Sequence, residues 1–239
     1  MKIEIIKCLA DNYSYLIIDQ SNNFACVVDP SEPNPIIKYI EDNQINLKYI
    51  LNTHHHFDHI GGNDELKKKY NAKIVAYKGD NYRIPNIDIQ VDDQTIWEAE
   101  NFKSKIIHIP GHTSGHICFY FENDKIAFTG DTLFSLGCGR IFEGSYQEMF
   151  NSLSKIKKLP KETKIYCGHE YTLKNSEFCL KYDENNSKLK NKIAEIKNKL
   201  NSKLPTLPTS IKDELACNIF LRAETIEKFS KLRELKDNF

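Results

Sequence analysis

Apolar positions along the chain follow two different rhythms. Up to about residue 172 they come in short runs rich in β-branched and aromatic residues, at 15–18, 24–28, 47–52, 73–77, 105–110, 116–121, 125–129 and 164–167, which predict β-strands. Helical spacing over 35–41, 63–70 and 146–159 interrupts them, and such alternation predicts a layered α/β protein. Beyond residue 172 the strand pattern stops. Helices are predicted over 174–182, 187–200 and 224–235, with the proline-bearing stretch 204–210 as a loop. The expected organisation is an α/β domain over residues 1–172 followed by a small helical domain over 173–239. No internal repeat of fixed period is present.

The ends of four predicted strands carry the chemistry. After the run 47–52 comes Thr53-His54-His55-His56-Phe57-Asp58-His59, a density of imidazole and carboxylate donors that first-row divalent ions explain and crowding without an ion does not. In an extended segment His54 and His56 point to one side and His55 to the other. Asp58 and His59 fall where a helix begins, so this second pair is aimed differently, as two ions about 3.5 Å apart would require. Later strands end in Gly111-His112, Gly130-Asp131 and Gly168-His169, each ligand preceded by a glycine that permits a tight turn or close backbone approach. His55, His108 and His116 are expected to be packing residues.

Together these segments resemble the metallo-β-lactamase superfamily, and within it the glyoxalase II branch, the hydroxyacylglutathione hydrolases. The likeness spans nearly the whole chain: Leu9-Ala10-Asp11-Asn12-Tyr13, Val28-Asp29-Pro30, the 53–59 motif, Pro110-Gly111-His112-Thr113, Gly130-Asp131-Thr132-Leu133-Phe134, Gly137-Cys138-Gly139-Arg140, Gly168-His169-Glu170-Tyr171-Thr172 and the carboxyl-terminal run 233–239. The resemblance implies an αββα sandwich with a small C-terminal helical domain. It implies His54, His56 and His112 on one metal, Asp58, His59 and His169 on a second, and Asp131 bridging them. It further implies Asp58 and Asp131 as catalytic residues, Arg140, Tyr171, Arg233 and Lys236 as holding a glutathione moiety, and hydrolysis of S-D-lactoylglutathione to D-lactate and glutathione by a hydroxide generated between the ions. Zinc is the expected ion, with iron and manganese compatible with the same donors. Relatives often carry lysine at position 140 and tyrosine at 142; Arg140 keeps the charge, whereas Phe142 removes a hydroxyl donor.

Composition narrows the alternatives. The 239 residues are 40% hydrophobic and 28% charged, with 33 basic and 33 acidic side chains, so no net field attracts nucleic acid. The lysine-rich segment around Lys188, Lys190, Lys192, Lys197, Lys199 and Lys203 reads as a solvated face beside Glu195. Charges interrupt the apolar residues of the first seven positions, which predicts neither a signal-peptide core nor a membrane span and places the protein in the cytoplasm. Seven cysteines in no paired spacing argue against a disulfide framework and a cysteine-ligated zinc ribbon. A monomer acting on a glutathione thioester, with no nucleic-acid or membrane partner, is expected. A single-iron persulfide dioxygenase of the same superfamily would not need Asp58, His59 and His169, a metallo-nuclease would need a basic face, and a non-catalytic metal-binding protein would not need all seven ligands.

Overall fold

The computed structural model describes residues 1–239. The chain divides into two compact units, residues 1–108 with 115–124, and residues 109–114 with 125–239.

In the first unit, β1 (Lys2–Cys8), β2 (Asn12–Asp19), β3 (Phe24–Val28), α1 (Pro33–Asp42), β4 (Asn46–Leu51), α2 (Phe57–Ile60), α3 (Asn63–Tyr70), β5 (Lys73–Tyr77) and β6 (Ile89–Val91) follow one another. The six strands form one sheet in chain order, antiparallel through β3 and parallel from β3 to β6. The parallel half arises because α1 and α3 return the chain across the sheet. Ile36, Ile40 and Leu66 from these helices pack with Leu16, Val27, Leu47, Ile50 and Ile74, all 1% exposed or less. Full burial of such a side chain contributes about 1.5–3 kcal/mol. Helix α1 starts two residues earlier than its apolar spacing predicts, because Pro33 and Pro35 suit the first turn, where no N–H is needed. An antiparallel ladder of β7 (Ile96–Ala99), β8 (Phe102–His108) and β9 (Ile117–Phe121) completes the unit. Strand β1 was hidden by Lys2, Glu4 and Lys7: it lies at a sheet edge, with Lys2 and Lys7 exposed.

The second unit holds β10 (Ile126–Gly130), β11 (Leu133–Phe134), β12 (Gly137–Cys138), α4 (Tyr146–Lys157), β13 (Lys164–Cys167), α5 (Thr172–Tyr182), α6 (Ser187–Asn201), β14 (Thr209–Ser210), α7 (Ile211–Cys217) and α8 (Ile226–Asp237). Strands β10 and β13 are parallel, β13 and β14 antiparallel, and β11 and β12 form a short hairpin. Helix α4 opens on a reciprocal cap in which Ser145 accepts from the Glu148 N–H and Glu148 reaches back to Ser145. Helix α7 was not expected, since seven residues are too few to show a helical period; Ser210 starts it by accepting from the Asp213 N–H. No helix is long and apolar enough to cross a membrane.

Candidate functional site

The first ligand group is built by the parallel register of β3 and β4. Val28 pairs with Leu51, so Asp29, one residue beyond Val28, and Thr53, two beyond Leu51, come together past the strand ends. Asp29 sits at φ 48° and is buried. Its carboxylate accepts the Thr53 N–H at 2.7 Å, the Thr53 hydroxyl at 2.6 Å and His59 Nδ1 at 3.0 Å. Because Thr53 donates its only hydroxyl proton to Asp29, its oxygen is left to accept from His54 Nδ1, 3.0 Å away. One carboxylate therefore orients two histidines, directly and through a threonine, and turns the Nε2 of each away from it. Such outer partners of metal-ligating histidines fix tautomer and ring direction.

Those Nε2 atoms meet other donors. His54 Nε2 lies 3.2 Å from His56 Nδ1, and His59 Nε2 lies 3.6 Å from Asp58 Oδ2. Asn12 donates to both the backbone oxygen and Oδ2 of Asp58 at 3.0 Å, which holds that carboxylate at the start of α2. His54 and His59 are each 1% exposed. His55 instead turns toward buried Asp80, its Nδ1 3.8 Å from Oδ2; His116 stacks on His54 and His108 on Tyr77.

In the second unit the parallel pair β10 and β13 does for Asp131 and His169 what β3 and β4 do for Asp29 and Thr53. Gly130 pairs with Cys167, and the Gly168 N–H bonds the Gly130 carbonyl. Asp131 Oδ2 then lies 3.2 Å from His169 Nε2 and 3.5 Å from His112 Nε2. His112 gives its Nδ1 proton to the Arg140 carbonyl at 2.7 Å, so it too presents an Nε2 lone pair to a carboxylate oxygen. Gly111 makes this possible: at φ 145° it lies so close to α4 that a Cβ would stand 2.8 Å from that of Met149. A lone pair facing an anion in a buried place is unfavourable without positive charge between them. The donors of both groups thus fit divalent metal ions, for which histidine and carboxylate are ordinary ligands.

The residues expected to hold substrate lie in the second unit. Tyr171 stacks on His169 with ring centroids 4.7 Å apart. Arg140 is exposed and bonds Asp237 Oδ1 through Nε at 3.2 Å. Arg233 is only 4% exposed and donates to the Cys138 carbonyl at 2.7 Å and to the same Asp237 oxygen at 2.9 Å. Lys236 Nζ is buried without a hydrogen-bond partner, 5.0 Å from the ring centroids of both Phe178 and Phe239. Burial, helped by Arg233 and Lys174, lowers its pKa to about 8. Phe142, in turn, packs edge-on against the His112 ring.

Asn12, Asp29 and Thr53 carry no metal-motif signal of their own. All three lie in segments that carry the family resemblance, but the resemblance gave none of them a role; by itself Asp29 is only an acidic residue ending the apolar run 24–28 ahead of a proline.

Comparison with known proteins places the chain in a family. The family model for the metallo-beta-lactamase superfamily matches residues 10–169, and that for the hydroxyacylglutathione hydrolase C-terminus matches residues 170–239. A hydroxyacylglutathione hydrolase of Pelagibacter ubique (strain HTCC1062) is 66% identical over 239 residues, with both chains fully covered. One from Methylococcus capsulatus (strain ATCC 33009 / NCIMB 11132 / Bath) is 38% identical over 253 residues, covering 100% of this chain and 99% of its own. Among solved structures, ETHE1 from Myxococcus xanthus superposes with a TM-score of 0.76 at 22% identity, covering 98% of this chain and 90% of its own. The BLEG-1 B3 metallo-beta-lactamase gives 0.74 at 20% identity, covering 93% and 100%. The fold is the metallo-β-lactamase α/β fold with a C-terminal helical region, as its motifs imply. On the length and identity of these matches, the chain belongs to the hydroxyacylglutathione hydrolase family of the metallo-β-lactamase superfamily.

Proposed function

We propose that the two ligand groups act as one dinuclear centre, with His54, His56 and His112 on one ion, Asp58, His59 and His169 on the other, and Asp131 shared. The chain is a thioesterase that hydrolyses S-(2-hydroxyacyl)glutathione, and the substrate proposed is chiefly S-D-lactoylglutathione, cut to D-lactate and glutathione. Zinc is the proposed ion; iron and manganese suit the same donors. When bound, the ions supply Lewis-acid chemistry, acidifying water to a pKa of about 7 and polarising the thioester carbonyl.

The chain's own residues do the rest. Asp58, held by Asn12, orients the attacking water. Asp131 keeps His112 and His169 at one carboxylate oxygen. The water, having lost a proton to solvent, adds to the thioester carbonyl carbon to form the new C–O bond; collapse of that tetrahedral adduct then breaks the C–S bond, and the glutathione thiolate is a good enough leaving group to need no general acid. Cys138 and Cys167 are buried thiols whose pKa burial raises, so neither serves as nucleophile.

The C-terminal region, proposed as a domain over 173–239 after a catalytic domain over 1–172, supplies much of the substrate contact. Lys236 offers a cationic donor with no hydrogen-bond partner, Arg140 an exposed guanidinium, and Tyr171 a phenol stacked on the proposed ligand His169. Arg233 serves this site through Asp237, whose carboxylate it shares with Arg140. A cytoplasmic monomer is proposed, in keeping with seven free thiols.

The observation that carries this reading is the set of histidine Nε2 atoms aimed at carboxylates after their Nδ1 protons are committed elsewhere. Metal analysis of purified protein, with thiol release from S-D-lactoylglutathione followed by a chromogenic disulfide, tests it. Two ions per chain and turnover are expected. Metal-replete protein that ignores this thioester but cleaves β-lactams or RNA would overturn it.

A further inference from the structure

After Asp131 the chain runs through the β11–β12 hairpin to Arg140, the residue whose carbonyl orients His112. This strap, residues 133–140, is fixed at its near end by its own backbone: the Gly139 N–H bonds the Thr132 carbonyl, and a Cβ on Gly139 would fall 1.9 Å from the Asp131 carbonyl oxygen. Its far end is fixed by side chains of three C-terminal helices. Asn175 of α5 donates to the Ser135 carbonyl at 3.2 Å and Arg233 of α8 to the Cys138 carbonyl. The turn itself belongs to α7. Glu214 Oε2 accepts the Leu136 N–H at 2.8 Å, and Asn218 Nδ2 donates to the Gly137 carbonyl at 3.0 Å and to the same Glu214 oxygen at 2.8 Å. Thr209 completes the set by donating to Glu214 Oε1 at 2.6 Å, while Asn218 Oδ1 accepts the Phe220 N–H at 3.0 Å.

Glu214 and Asn218 are both fully buried, and no cation is bonded to the Glu214 carboxylate. A buried carboxylate costs far more than an apolar side chain of the same size unless donors converge on it. Here three do, and one is the N–H of Leu136, held at φ 59° where it can find no partner in a strand ladder. The pair serves the turn rather than the packing of α7.

We infer that Glu214 and Asn218 are positioning residues for the metal ligand His112, acting through the 133–140 strap and its Arg140 carbonyl, so that α7 in the C-terminal region serves the metal centre as well as the fold. The inference rests on the reading of His112 as a ligand. Outer partners of metal ligands typically affect affinity by about ten- to a hundredfold. Cobalt(II) titration of metal-stripped protein, with its visible spectrum and the steady-state constants of the reloaded enzyme, tests the idea. Asn218→Ala and Glu214→Ala are expected to weaken cobalt binding by about tenfold or more, to shift the visible bands, and to lower kcat with KM nearly unchanged. Glu214→Gln, whose amide oxygen can accept from Leu136 and Asn218 while its NH2 faces Thr209, is expected to restore all three. Should the alanine variants not fold, Thr209→Val removes one bond to Glu214 at nearly constant volume and is expected to weaken cobalt binding severalfold. Cobalt affinity and spectrum unchanged in variants that only melt earlier would reduce the pair to a structural role and overturn the inference. His112→Ala separates the premise from the inference: retention of full cobalt affinity there would sink the ligand reading itself.

Discussion

Four carboxyl groups and one amine show how position decides the work of a charge. Asp58 and Asp131 face histidine lone pairs, whereas Asp29 accepts from His59 Nδ1 and from Thr53, so the first two suit metals and the third suits the orientation of the proposed ligands. Asp29→Asn is expected to weaken metal binding by about ten- to a hundredfold while leaving the fold intact, read by metal content after dialysis against a chelator. Lys236 makes a prediction about pH. Its pKa in the folded protein is about 8, so above that pH it loses the charge that would meet a substrate carboxylate. The ratio kcat/KM should therefore fall on a basic limb near pH 8, and Lys236→Met should remove that limb; a limb that persists in the variant assigns it to another group. The carboxyl of Glu214 works in the opposite sense on stability. Burial raises its pKa to about 7 from 4.5, so between those values the folded protein holds a proton that the unfolded chain releases. Its contribution to stability is complete below about pH 4.5 and is lost as pH rises through 7. Urea midpoints measured from pH 4.5 to 7.5 should show that fall, and Glu214→Gln should flatten it.

Helix α8 carries two of the residues implied in glutathione binding, and its geometry separates their effects. Lys236→Ala removes an unpartnered donor. Loss of one charge-assisted hydrogen bond, about 1.5–3 kcal/mol, should raise KM roughly ten- to a hundredfold with kcat nearly constant. Arg233→Ala instead frees the Cys138 carbonyl and Asp237, so its cost should fall on stability and metal content as well as on KM. Identical kinetic and metal profiles for the two variants would contradict this division. Sequence reading could not make the distinction, because an arginine and a lysine three residues apart on one helix look alike until one is seen to bond backbone. The same limit hid α7 and the hairpin: their roles rest on backbone groups of residues 134–138, which no side-chain pattern announces. The helices of longer period, α3, α4, α6 and α8, were visible within about two residues at their ends because their apolar spacing or their caps are local.

Across the whole molecule, the candidate ligands stood out in the sequence because they follow the ends of four strands, β4, β8, β10 and β13, where the chain turns, and glycine marks three of the four turns. Most of the hydrogen bonds that orient those ligands join residues 24 to 46 positions apart, and only the fold brings such partners together. Since the proposed ions would tie together residues from 54 to 169, their removal should lower the melting temperature well beyond the effect of any single ligand bond. Ligand at a thousandfold its dissociation constant contributes about 4 kcal/mol. Calorimetry with and without chelator checks this, and equal melting curves would count against bound ions. The seven cysteines bear on how the reaction can be followed at all. All are buried and free, and burial drives the Cys217 and Cys179 pKa values up to about 11 and 12, far from the thiolate form that exchanges with disulfides. A protein that sets a thiol loose at every turnover thus keeps its own thiols inert toward the mixed disulfides its product could form. A chromogenic disulfide should count almost no sulfur on the native chain and seven per chain in denaturant, so that colour in the assay belongs to released glutathione alone.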